Sequence, residues 1–241
     1  MNLVLDIGNT RFKWAIFQNN EMLKFDANKS FSIDFLRTLL STYNKIKNVC
    51  LSDTTNLHYD YKNLFLNLNV NYIEVNQNCK LPIKINYSTP NTLGTDRIAL
   101  SVAASQNYSG DKLIIDLGTC ITYDLVRNND YIGGQISPGL NMRLASLNYY
   151  TGNLPKLDFC FTELLVGDNT KNSILIGIYD SVFFEIQNVI EKYKKRYPKI
   201  VIIVTGGDMN IVEKKIKNIN FSHPYLLMEG LNSIIAFNEE V

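Results

Sequence analysis

Leu3-Val4-Leu5-Asp6-Ile7-Gly8-Asn9-Thr10 and Leu113-Ile114-Ile115-Asp116-Leu117-Gly118-Thr119 are the same phrase written twice, an apolar run ending in Asp-x-Gly with a hydroxyl behind it. Each run is short, unbroken and aliphatic, which predicts a strand buried on both faces rather than a half-exposed one. After the first copy, Arg11 to Phe17 sets Phe12, Trp14 and Ile16 against Arg11, Lys13 and Ala15, so a second strand leaves the turn and forms a hairpin with a polar tip. After the second copy, Ile121 to Val126 alternates in the same way, and Tyr131 to Ser137 supplies a third strand before Pro138-Gly139. A repeated opening of this kind implies two similar half-domains, divided here into residues 1–112 and 113–241.

Working outward, Met22 to Phe25 reads as the third strand of the first half. Phe35, Leu36, Leu39, Leu40 and Tyr43 follow at helical spacing with Ser32 as N-cap. Strand Val49–Leu51, helix Leu57–Leu68 and strand Tyr72–Val75 complete that half, and a further helix spans Ile98 to Ser105. In the second half, helices are expected near Met142 to Leu147, over Asn169 to Arg196, over Met209 to Ile216 and over Gly230 to Phe237. Ile200 to Val204 reads as a buried β-branched strand. Three strands followed by alternating helices and strands predict an α/β fold with mixed sheets flanked by helices.

The composition closes several doors. In 241 residues there are 24 Lys and Arg against 23 Asp and Glu, a formal charge of +1, so no global field would hold nucleic acid or anionic lipid. The run Glu191 to Arg196 is basic, but it sits at a predicted helix end and lacks interleaved aromatics, so it reads as a solvated face. No uninterrupted apolar run approaches the length of a bilayer span, and Asp6 falls where a signal peptide needs its apolar stretch, so a cytoplasmic protein is expected. Cys50, Cys79, Cys120 and Cys160 stand apart and read as small, partly buried apolar residues. His58 and His223 read as surface or loop residues without chemistry.

Asp-x-Gly at a strand-to-strand turn has a physical use. Glycine lets backbone N–H groups approach a phosphate, the following hydroxyl or amide adds a donor, and the carboxylate can hold a cation directly or through water. A single such turn is also an ordinary hairpin tip. The pairing is what points to a phosphate chain held from two sides of a cleft. Thr205-Gly206-Gly207-Asp208 is open between a nucleoside-facing backbone and a plain strand-to-helix turn capped by Asp208. Gly94-Thr95-Asp96-Arg97 opens a helix. There Asp96 is either a charge that suits the helix dipole or a general base, and Arg97 is either its surface partner or a clamp for a substrate anion.

Asp6 to Thr10, Tyr87 with Gly94 to Arg97, Asp116 to Thr119, Gly133-Gly-Gln-Ile-Ser-Pro-Gly139 and Thr205 to Asp208 together resemble the type III pantothenate kinase family of the actin-like superfamily, end to end. The resemblance implies two actin-like, ribonuclease H-like half-domains with a nucleotide cleft between them, and phosphorylation of pantothenate by ATP as the first step towards coenzyme A. It implies that Asp6, Ile7, Gly8, Asn9, Thr10, Arg11, Phe12 and Lys13 hold the ATP phosphates with Asp6 near Mg2+, and that Thr119, Gly206 and Gly207 also contact ATP. Asp96 becomes the general base, and Tyr87, Gly94, Thr95, Arg97 and Thr170 line the pantothenate pocket. Asp116 holds K+ or NH4+, and the chain forms a homodimer. At Thr170 the local pattern departs, with Ile176 before Gly177 where a small residue is expected. Phosphoryl transfer needs positioning and charge neutralisation rather than a Cys or His nucleophile, which agrees with a chain holding two histidines. Two rivals are an actin-like kinase for another small alcohol, which Gly94 to Arg97 argue against, and a non-catalytic accessory factor in transcription. A binding module has no need of Asp6, Asp96, Arg97 and Asp116 together.

Overall fold

A computed structural model describes residues 1–29, 32–55, 61–66, 68, 70–76, 78–213 and 215–239. The chain forms two compact units, Met1–Ser109 with Asn129–Ile132 and Tyr225–Val241, and Gly110–Asn128 with Gly133–Pro224. The first unit is therefore discontinuous. The division expected at 112/113 falls three residues earlier, and the C-terminal segment returns to the first unit instead of ending the second.

In the first unit β1 (Asn2–Ile7), β2 (Phe12–Gln18), β3 (Glu21–Asn28), β4 (Asn48–Asp53) and β5 (Asn71–Glu74) form a sheet in the order β3-β2-β1-β4-β5. β1 runs antiparallel to β2 and parallel to β4, as a strand buried on both faces requires; Leu3, Val4 and Leu5 are wholly buried. β2 and β3 are joined through Asn19 and Asn20, both left-handed at φ 52° and 65°, the backbone of a tight two-residue hairpin. α1 (Ile33–Thr42) starts at Ser32, whose hydroxyl accepts the Phe35 N–H, and lays Leu36 and Leu39 on the β1–β2 face with Phe35 against Phe12 and Trp14. Of the helix expected over Leu57–Leu68, α2 (Tyr61–Leu66) is seen; residues 56–60, His58 among them, lie outside the described residues.

β6 (Lys84–Ile85), which the sequence does not announce, pairs with Asp130 and Tyr131. A 3-10 turn at Pro90–Thr92 then leads into α3 (Thr95–Asn107). On the other face of the sheet α3 packs on the C-terminal helix, so closely that a Cβ on Gly230 would collide with the Ala99 backbone.

β7 (Lys112–Leu117) and β8 (Cys120–Arg127) of the second unit, with β9 (Asp130–Pro138), whose first three residues count with the first unit, repeat the opening, again with an Asn-Asn turn, Asn128 and Asn129 at φ 49° and 63°. α4 (Leu140–Tyr150) follows Gly139. α5 (Thr170–Arg196) is N-capped by Asn169, whose side chain accepts the Asn172 N–H, and ends in Lys194, Lys195 and Arg196, as the dipole favours. β10 (Val201–Thr205) pairs parallel with β7 and with β11 (Phe221–Ser222). α5 is the one helix among the described residues long and apolar enough to cross a bilayer. Its stripe Ile174, Ile178, Val182, Ile186 and Ile190 is buried in the unit's core with Leu113, Ile115 and Val204.

α6 is only Met209–Val212, shorter than the expected Met209–Ile216. Two hydrogen bonds tie Asn220 to Ile202, and Asn218 takes a left-handed backbone, so the chain turns back to the sheet and buries Ile216 instead of extending the helix. α7 (Leu226–Glu239) closes the chain on β1, β4 and α3 of the first unit. This is why the division at 112/113 does not hold. Cys50 is buried, but Cys160 is exposed, against the reading of all four thiols as partly buried.

Candidate active site

The first unit gathers its polar residues where β1, β2 and β4 end together. Register places Asp6 directly opposite Lys13 on β2 and Ser52 on β4. Asp6 is 4% exposed. Lys13 Nζ lies 3.4 Å from its Oδ2, and the Ser52 hydroxyl donates to its Oδ1 at 3.1 Å. Burial pushes the Asp6 carboxyl above its ordinary value and the charge of Asp96 adds to the rise, while Lys13 and Ser52 oppose it.

The loop beyond Asp6 is closed by Gly8 N–H donating to Arg11 O, and Asn9, Thr10 and Arg11 at its tip are exposed. Ser52 is fully buried and its Oγ lies 2.9 Å from Thr95 Oγ1. A serine has one proton, and the carboxylate of Asp6 takes it. Thr95 is therefore the donor to Ser52, sharing its one proton with the Asp53 carbonyl at the longer distance of 3.4 Å. Through this pair the strand end at Asp6 is joined to the first turn of α3.

Gly94 is the N-cap of α3. A Cβ there would fall 2.5 Å from Asp96 Oδ1, so the missing side chain is what lets the carboxylate fold back and accept the Arg97 N–H at 2.8 Å. Arg97 is buried, which removes the reading of it as a surface partner. Its guanidinium lies 5.8 Å from the ring centre of Tyr131, and Tyr131 meets Tyr87 edge to face. Asp6, Lys13, Gly94, Thr95, Asp96, Arg97 and Tyr87 thus share one unit.

The second unit builds its own turn at Asp116. The loop is one residue shorter, with strand pairing ending at Leu117 and Ile121 rather than at Ile7 and Phe12, and Gly118 N–H donates to Cys120 O. Two glycines press on it. Gly206, at φ +99°, would drive a Cβ into Asp116 Oδ1 and the Leu117 backbone, and Gly139 would drive one into the carbonyl oxygens of Gly118 and Thr119. Gly207 is exposed with open space above it. Asp208 makes no side-chain cap, and its N–H donates to Leu117 O instead. The segment therefore serves the Asp116 turn and not only α6. Thr170 is exposed at the start of α5 and lines a groove of about 620 Å³ with Arg143, Ser173 and Ser181.

Sequence reading passes over Ser52, Tyr131, Arg143 and Glu185. The one signal for Ser52 is a small polar residue closing an otherwise apolar strand. Glu185 on α5 accepts hydrogen bonds from Tyr123, Ser137 and Arg143. Burial opposes its charge, but those three donors outweigh it and hold the carboxyl below the ordinary glutamate value. Burial and the neighbouring Glu185 push the Tyr123 hydroxyl in the other direction, upward.

The architecture is similar to that of solved proteins of low identity, which shows the fold alone. A ROK family glucokinase from Streptomyces griseus, solved with glucose and AMPPNP, matches at TM-score 0.58 with 8% identity over 100% of this chain and 99% of that one. A conserved Campylobacter jejuni protein, provisionally described as a Baf family transcriptional activator, matches at 0.65 with 19% identity over 99% and 100%. Sequence comparison goes further. The family model for type III pantothenate kinase matches residues 2–192. The type III pantothenate kinase of Christiangramia forsetii is 42% identical over 99% of both chains, and that of Phocaeicola vulgatus 36% identical over 100% of both. The chain belongs to the type III pantothenate kinase family, whose activity is the ATP-dependent phosphorylation of pantothenate in coenzyme A biosynthesis.

Proposed function

We propose that Asp96 is the general base of this kinase, taking the proton of the pantothenate hydroxyl as its oxygen attacks the γ-phosphorus and ADP departs. The observation that carries this is the joining of Asp6, Lys13, Ser52, Thr95 and Asp96 within one unit, with Gly94 leaving room for the Asp96 carboxylate. A half-buried carboxylate beside an ion-paired phosphate loop suits proton transfer at a centre where charge must be neutralised. Arg97, rigid beneath Tyr131, offers a planar fork for the pantothenate carboxylate, and Tyr87 lines the same pocket. Asp6 through Lys13 and Thr119 hold the phosphates, and Gly206 and Gly207 lie beside the adenosine.

Among the described residues no three of His, Cys, Asp and Glu converge on one point, so Mg2+ would be held mainly by phosphates and water, with Asp6 as the protein's carboxylate. When bound it neutralises the phosphate oxygens. Gly206 lies against both the Asp116 carboxylate and the Leu117 carbonyl, hard oxygen donors of the kind that suit K+ or NH4+. Exposed Leu165 and Val166 just before Thr170, and exposed Phe184 farther along α5, support a homodimer, which light scattering at assay concentration would report. The even charge balance supports a cytoplasmic enzyme that binds neither nucleic acid nor membrane. The test is Asp96→Asn. It should fold and bind pantothenate while kcat falls by about 10²–10⁴-fold, and near-wild-type turnover would reject the role.

A further inference from the structure

Among the polar contacts of the second unit that this chemistry leaves unused, one cluster converges on Glu185. Its carboxylate receives Tyr123 Oη from β8 at 2.8 Å, Ser137 Oγ from β9 and Arg143 Nη2 from α4. Arg143 commits the rest of its fork nearby, with Nε donating to Pro138 O at 2.8 Å and Nη1 to Ser181 Oγ at 3.1 Å. A guanidinium held at every face is fixed in the plane of its donors.

What it grips is one end of a lever. The carbonyl of Pro138 and the N–H of Gly139 belong to the same planar peptide group, so neither can rotate without the other. At the far end Gly139 N–H donates to Thr119 O at 3.0 Å, and Gly139 lies too close to Gly118 and Thr119 to admit a side chain. Arg143 therefore reaches the second phosphate turn through a single rigid unit.

The geometry points to Arg143 as a positioning residue for nucleotide binding, which clamps the Pro138–Gly139 peptide and thereby places Thr119, with Glu185 holding Arg143 in turn. The inference rests on the reading of Thr119 as a nucleotide contact, and the test separates the two. The purified full chain is titrated with a fluorescent ATP analogue in the presence of Mg2+, and the KM for pantothenate is measured in parallel.

Arg143→Ala should weaken the nucleotide about tenfold, the scale of one lost hydrogen bond, and by more than it raises the pantothenate KM. Arg143→Lys can meet the carbonyl or the carboxylate but not both, and should fall between. Ser181→Ala spares the Pro138 clamp and should bind within about twofold of the unmodified protein. A purely structural role would lower the melting temperature without dividing the two substrates in this way. If Arg143→Ala does not fold, Arg143→Lys carries the same comparison. Unchanged nucleotide affinity in Arg143→Ala (or in Arg143→Lys where that variant stands in), alongside weakened binding in Thr119→Ala, would overturn the role of Arg143 alone. Unchanged affinity in Thr119→Ala would overturn the assignment of Thr119 and the inference with it.

Discussion

Gly94→Ala is expected to separate stability from catalysis, because the added methyl group meets only the end of one side chain. Gly94 lies at φ −58° and ψ 136°, a conformation open to any residue, so alanine brings no backbone strain. Its Cβ would stand 2.5 Å from Asp96 Oδ1, about an ångström inside van der Waals contact, and a carboxylate can swing away where backbone could not. Swinging breaks the bond from Arg97 N–H, worth about 1–2 kcal/mol, while the lower unfolded-state freedom of alanine returns about 0.4–1 kcal/mol. The net change is a loss of about 0–1.6 kcal/mol, at most roughly 3–6 °C in melting temperature for a chain of this size. Catalysis has no such offset, since a displacement of about 1 Å at the proposed base costs on the order of 10²-fold in kcat. Thermal unfolding and steady-state kinetics on the same preparation give both numbers. A kcat within about threefold of the unmodified protein, with the alanine confirmed, would show that the position of the Asp96 carboxylate does not matter and would refute the reasoning.

The Glu185 network makes stability depend on pH. The folded carboxyl lies below the ordinary glutamate value, so its contribution is fully present above that value and is lost as pH falls through the folded one. The melting-temperature gap between the unmodified protein and Glu185→Gln should be wide at pH 7 and should shrink below about pH 4; a gap constant with pH would contradict the network. On the proposed placement of Asp116 beside the bound phosphates, its carboxylate needs an intervening cation, so activity should require K+ or NH4+ at fixed Mg2+. Equal rates in Na+ and K+ buffers would remove that cation from Asp116.

What could be read in the sequence was what depends on near neighbours. Asp6 and Gly8, Asp116 and Gly118, the Ser32 cap and a strand after each turn are set within a few residues, and the structure has them where the patterns put them; the alternation in those strands does not carry over to burial, since Ile121 to Val126 are all buried. Ser52 escaped because its meeting with Asp6 is made by the parallel register of β1 and β4, across 46 residues. The return of α7 to the first unit escaped for a similar reason. Its apolar residues announce a helix to be buried, but its packing on β1, β4 and α3, with Gly230 pressed against Ala99, decides on which unit. Glu185 looked like one charge among many on a long helix, and its three donors come from β8, β9 and α4. Arg97 read as exposed because charged residues in a first helical turn usually are; the Tyr131 ring over its guanidinium comes from a strand 34 residues away.

The most direct test follows the phosphorus. The purified chain is incubated with ATP, Mg2+, K+ and pantothenate, and the products are observed by phosphorus NMR. A phosphomonoester on the primary hydroxyl of pantothenate, formed in equal amount with ADP and absent without pantothenate, is the expected result. ADP released at the same rate with and without pantothenate, or no phosphomonoester after many enzyme equivalents of time, would contradict the assignment of this chain as a working pantothenate kinase.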